Sequence, residues 1–276
     1  MSSSTKPKVA AVTRETHGTR RWRRYTNYKF AASDAVAPLV APEVSKAAAA
    51  FPLGFLKVGD SVRLVALLGL KTGQNLFVAP DGRWIGGYIP AVFRTYPFRL
   101  ADNGKGSLIV CAVEDETLLT DGPEGEPFFE GEEGNSLSPA VHQVVEVLQH
   151  VAQAERATGA ASALLDKHEL LVPWQFRRHG EDKVYTLGDV LTVDEAKLNA
   201  LAPEALVDVR NGGALALAYA QLLSQQHMAT LVALEAAHAK AQAQLAAAAQ
   251  SVVNPKGELD LEFLNQNSVL DFRGLK

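Results

Sequence analysis

The sequence predicts an α+β fold, in which antiparallel hairpins pack against helices and a long C-terminal helix leads into a docking tail. Three observations carry this. Short β-branched and aromatic runs flank tight turns at Gly59-Asp60 and Asp102-Asn103-Gly104, the pattern of hairpins and not of βαβ units. Val141, Val144, Val145, Leu148, Val151 and Ala152 recur at helical spacing behind Ser138-Pro139, which reads as N-cap and first helical residue. From Ala214 to Gln250, leucine and then alanine make the longest helical pattern in the chain.

Taken in order, residues 1–26 are polar and basic without a period, so a flexible basic arm is expected there. Pro42 and Glu43 suit the start of a helix that runs to Ala50 and stops at Phe51-Pro52. Leu53–Val58 and Val62–Leu68 form a hairpin. The central stretch, Leu67 to Phe98, follows. There, Pro80-Asp81-Gly82 turns between two expected strands, Leu76-Phe77-Val78 and Trp84-Ile85. After the hinge Gly86-Gly87, the positions Tyr88, Val92, Phe93 and Tyr96 describe a short helical face ended by Pro97.

Phe98–Leu100 and Ser107–Val113 make a second hairpin. The acidic segment 115–135 reads as a loop pinned by Phe128-Phe129, and the helix after Ser138 runs to about Leu165. Leu170–Phe176 and Lys183–Leu187 form a hairpin across Arg177-Arg178-His179-Gly180. Thr192 and Glu195 have capping-box spacing before a helix to Leu201. Pro203 opens another helix, closed by a left-handed cap at Asn211-Gly212-Gly213. The body is thus expected over residues 27–235, with an alanine-rich helical extension and apolar tail over 236–276. In that tail Leu259, Leu261 and Phe263 alternate with acids, and Leu270 and Phe272 add apolar surface, so docking on the same chain or a neighbouring subunit is expected.

The chain has 276 residues and a net charge of -4, enough length for a sizeable core and the wrong balance for general nucleic-acid binding. Its single cysteine, Cys111, sits in an apolar run, which excludes a disulfide framework and predicts a buried thiol. No apolar run approaches a membrane span, and the N-terminus lacks the hydrophobic centre of a signal peptide, so cytoplasmic synthesis is expected. Charge is segregated. Arg20, Arg21, Arg23 and Arg24 interleave with Trp22 and Tyr25, whereas nine carboxylates and no cation occupy residues 114–133. The arginines are candidates for partner or nucleic-acid contact; alternatively Trp22 and Tyr25 lie on the body and the arginines face solvent or the acidic block. The acidic segment lacks the ligand spacing of an EF-hand, and no metal or cofactor is expected.

No nucleophile elbow, phosphate loop, dinucleotide glycine motif, H-E-x-x-H or C-x-x-C is present, and no catalytic residues are assigned. Trp84, Tyr88, Arg94 and Tyr96 are candidates for lining a small aromatic pocket; core packing with one surface arginine is the alternative.

The ordered series FPLGFLK, VALLGLKTGQNLFV, DGRW and GYIPAVFRTYPF resembles the SapC family, named for a component associated with bacterial surface-layer proteins. HGTRRWRRYTNYKFAASDAVAPLV precedes it, and EGEPFFEGEEG and LTVDEAKLNAL follow, so the likeness covers Thr16 to Leu234. It implies a bacterial or phage origin and a surface-protein or export association, with no catalytic residues to carry over.

Together these readings point to a non-enzymatic interaction and assembly protein with protein partners, a homo-oligomer or larger assembly. Two alternatives stand beside it: a phage structural protein acting through its terminal arms, with virion association, and an accessory enzyme modifying a peptide or small molecule near Trp84–Tyr96.

Overall fold

Tight turns dictate the sheets. The computed structural model describes residues 8–130, 136–178 and 180–251, with side chains to residue 244. In chain order it contains β1 (Val9–Ala11), α1 (Arg14–His17), β2 (Arg21–Trp22), β3 (Val36–Pro38), α2 (Val44–Ala48), β4 (Leu53–Val58) and β5 (Ser61–Leu67). Next come α3 (Ala91–Arg94), β6 (Phe98–Asp102), β7 (Leu108–Val113), β8 (Leu119–Thr120), β9 (Glu126–Pro127), β10 (Phe129–Glu130) and β11 (Ser136–Leu137). The remainder is α4 (Pro139–Lys167), β12 (Leu171–Arg177), β13 (Val184–Val193), α5 (Glu195–Asn199), α6 (Pro203–Asn211), α7 (Ala214–Ser224) and α8 (Met228–Ser251). The fold is α+β, with antiparallel pairing throughout the described strands.

The main sheet has the order β12-β13-β4-β5-β3. Its β4–β5 hairpin turns at Gly59, whose φ of 59° is a left-handed conformation that suits glycine. Gly54 in β4 is needed for a different reason: a Cβ there would stand 2.6 Å from Val190 Cγ1 in β13. A second sheet, β1-β7-β6, carries the Asp102-Asn103-Gly104 turn, and a third, β8-β2-β9, is made by the basic arm between two pieces of the acidic segment.

Helix α4 lies against β5 and β6 and so ties the first two sheets together. Ser138 caps it by accepting from Val141 N–H. One core cluster gathers Trp22, Phe98, Phe128, Val141 and Leu148. Phe51, Phe55, Leu165 and Leu170 are among the other fully buried large side chains. Helix α7 is fixed to the main sheet by polar bonds as well as packing. The Gln221 amide donates to Leu53 C=O and accepts from Val193 N–H, and the Ser224 hydroxyl accepts from Leu53 N–H.

Several expectations are corrected. The arm is built into the body from Lys8 onward, because β1 pairs with β7 and β2 joins β8 and β9. The expected strands around Pro80-Asp81-Gly82 shrink to a single bridge, Val78↔Trp84. Strand β13 runs to Val193, which takes Thr192 out of the capping position; Asp194 caps α5 instead, accepting from Lys197 N–H. The segment from Ala214 is not one α-helix, since a 3-10 turn at Gln225–His227 separates α7 from α8. The apolar tail residues Leu259, Leu261, Phe263, Leu270 and Phe272 lie outside the described residues, as does His179. The chain divides into two units, Met1–Leu231 and Val232–Lys276. No helix among the described residues is long and apolar enough to cross a membrane.

Candidate functional site

The basic arm and the acidic segment meet each other. Arg20 Nη1 donates to Glu114 at 2.6 Å and its Nε lies 3.4 Å from Asp121, while Arg23 pairs with Glu124 at 2.8 Å. Arg21 donates to Gly125 C=O, and the Arg24 guanidinium lies 6.0 Å from the centre of the Trp22 ring. Trp22 is only 2 % exposed and packs edge-on against Phe98. Of the five arm candidates, then, Trp22 belongs to the core, and Arg20, Arg21 and Arg23 bond within the chain.

Buried His17 extends this network. A carboxylate can only accept, so His17 Nε2 donates to Glu114 at 3.2 Å and Nδ1 accepts from the Thr16 hydroxyl at 2.7 Å. Burial pushes the His17 imidazolium down, with Arg20 assisting and Glu114 opposing. Burial pushes Glu114 up, but hydrogen bonding and charge from Arg20, together with His17, outweigh it and hold the carboxyl below its ordinary value. A hydroxyl, an imidazole and a carboxylate in series have the order of a nucleophile relay. However, none of the three lines either of the two cavities described below.

The second candidate set, Trp84, Tyr88, Arg94 and Tyr96, splits. Trp84 packs with Phe51, Phe77, Phe93 and Tyr28, and its Nε1 donates to Tyr88 C=O at 2.8 Å. The Tyr88 hydroxyl donates to Glu43 Oε2 at 2.8 Å, and Arg94 donates to that hydroxyl. Glu43, 5 % exposed, also accepts from Ala91 N–H and Val40 N–H, joining two helical starts through one carboxylate. Burial first, and Glu43 second, push the Tyr88 phenol up to about 12. By sequence Glu43 reads only as a helix-start charge. Its position amid Val40, Ala41 and Val44 is the signal that it is buried.

Tyr96 turns elsewhere. Its ring stacks on Phe30 at 3.9 Å and its hydroxyl donates to Asp115 Oδ2 at 2.8 Å, on the wall of a cavity of about 910 Å³. Tyr25, Lys29, Asp34, Arg99 and Thr117 line the same cavity. Sequence alone does not reveal this site, because its residues come from the arm, the stretch 27–34 after it, the second hairpin and the acidic segment, which only the fold brings together. A smaller cavity of about 490 Å³ lies between β5, α3, β6 and α4 and is mostly apolar.

His168 and Cys111 have structural roles. His168 bonds Asp208 at 2.9 Å, tying the end of α4 to α6. Cys111 is buried, and burial pushes its thiol up, away from the reactive thiolate. No group of three histidine, cysteine or acidic residues placed to hold a metal occurs among the described residues. Helix α7 turns large apolar side chains to solvent: Tyr219 is 45 % exposed and Leu223, one turn on, is 71 % exposed.

The SapC family model matches residues 12–231 of the chain. No curated protein matches it. No solved structure matches it either.

Proposed function

The chain belongs to the SapC family, and from that premise we propose that it is a non-enzymatic interaction and assembly protein serving bacterial surface-layer or other surface proteins. The observation that carries this reading is the outward pair Tyr219 and Leu223 on α7. A leucine 71 % exposed, in a helix whose opposite face is already fixed by Gln221 and Ser224, is surface that association would bury. The partner in this reading is a second copy of the chain, because two such apolar faces set about a two-fold axis would bury each other and close a symmetric homo-oligomer. The charged arm supports the same division of labour, because its arginines bond within the chain and leave assembly to apolar surface.

Sedimentation velocity of the full chain over a range of concentrations tests this. A species heavier than the 29.6 kDa chain is expected. A lone monomer at every concentration overturns the homo-oligomeric part of the reading. The accessory-enzyme reading retains one supporting observation, the cavity walled by Tyr96; turnover of a peptide or small molecule that is lost in Asp115→Asn would favour it.

A further inference from the structure

The cavity of about 910 Å³ is independent of the assembly face and has the composition of a ligand site. Its apolar wall is aromatic. Phe30 stacks on Tyr96 with an interplanar angle of 2°, and Tyr25 meets Phe30 edge-on with ring centres 5.0 Å apart. Around this wall stand the charged groups Lys29, Asp34, Arg99 and Asp115. Asp115 is already engaged, accepting from the Tyr96 hydroxyl with one oxygen and from Thr117 N–H and Oγ1–H with the other. The other three are not: the side chains of Lys29, Asp34 and Arg99 make no ion pair or hydrogen bond with any described residue. Lys29, Asp34 and Arg99 are exposed and bond to water, which a ligand seated in the concavity would replace.

Their balance sets its chemistry. Two cations face two carboxylates, so the pocket has no net attraction for a polyanion or a polycation. Lysine and arginine can only donate, while the carboxylate of Asp34 accepts, so a fitting ligand must both accept and donate. It must also present an apolar face to the aromatic wall. A sugar ring does all of this, with hydroxyls that donate and accept around its edge and C–H bonds on its face.

We propose that this pocket binds a neutral saccharide, with Arg99 and Lys29 donating to ring hydroxyls, Asp34 accepting from them, and the half-buried Tyr25 and Phe30 receiving the ring face. Partial burial of its carboxyl pushes Asp34 up, against the pull of Arg99. A ligand hydroxyl donating to that carboxylate would relieve the penalty.

The test uses the full chain, labelled with nitrogen-15, with cellotetraose as the probe and chitotetraose as its N-acetylated counterpart. Titration is expected to shift amide signals of Lys29, Asp34, Arg99 and Thr117, with dissociation in or below the millimolar range, about 1 mM. Arg99→Ala and Asp34→Ala are each expected to weaken binding about tenfold while the thermal midpoint stays put, as befits exposed positions. The wild-type map needs neither variant. No shift from either sugar up to about 10 mM, shifts confined to another surface, or binding of free glutamate where both sugars fail would each overturn the proposal. Because the site lies apart from Tyr219 and Leu223, neither result bears on self-association.

Discussion

The sequence offers the basic arm to partners and gives helix α7 only as part of a long helical pattern, and the fold uses the two in opposite ways. In the arm, Trp22 is buried and Arg20 and Arg23 are bonded to Glu114 and Glu124. In α7 the buried face combines Ala214, Leu217 and Ala218 with the polar Gln221 and Ser224, and Tyr219 and Leu223 point outward. Charge in the arm therefore closes the body, while α7 leaves apolar side chains exposed. The physical reason is local. A dense basic stretch and a dense acidic stretch in one chain find each other at high effective concentration. By contrast, α7 buries apolar and polar residues together against the sheet and still leaves Tyr219 and Leu223 outside.

The largest expected effect lies in the arm. Trp22→Ala should cost about 3–5 kcal/mol, as other large-to-small core changes do, measured by urea unfolding. A loss near zero would make the arm an appendage and dissolve the contrast. Glu43→Ala comes next, at about 2–3 kcal/mol by the same method, because it leaves the Tyr88 hydroxyl and the Ala91 and Val40 N–H groups without their acceptor.

The pH dependence should also separate the two regions. His17 holds its proton more weakly in the folded chain than at its ordinary 6.5, so on acidification the unfolded chain is protonated first. Stability should therefore fall as pH drops through 6.5 toward the lowered folded value. A further loss follows below 4.5, where the lowered Glu114 carboxyl gives up its contribution. His17→Gln should flatten the first part of this curve and leave the second; an unchanged first part would refute the buried-imidazole account. The smallest effect on stability belongs to α7. Tyr219→Asp with Leu223→Asp should change unfolding by no more than about 0.5 kcal/mol, since neither side chain is buried in the single chain.

Much of the fold was legible because it rests on local chemistry. The turns at Gly59-Asp60 and Asn103-Gly104, the Ser138 cap and the Pro203 helix start each need only neighbours in sequence. Thr192 and Glu195 misled for the same reason: their spacing fits a capping box, but pairing of β13 with β12 and a hydrogen bond from Thr192 Oγ1 to Gln221 keep Thr192 in the strand. Phe128 is the pin its neighbours in sequence suggest, yet β9 before it needed the arm as partner and had no local signature. The sites were harder still. Asp34, Arg99 and Asp115 share a cavity although they lie on three separate segments, and nothing in their spacing announces it. Glu43 is a hub only because Tyr88 and Ala91 arrive from the far side of a hairpin.

We propose that self-association runs through α7 and not through the charged arm. Light scattering on the full chain beside its Tyr219→Asp, Leu223→Asp double variant tests it most directly. The account predicts a multiple of 29.6 kDa for the full chain and 29.6 kDa for the variant, with equal urea midpoints. A monomeric full chain, or a variant that assembles as before, would contradict it.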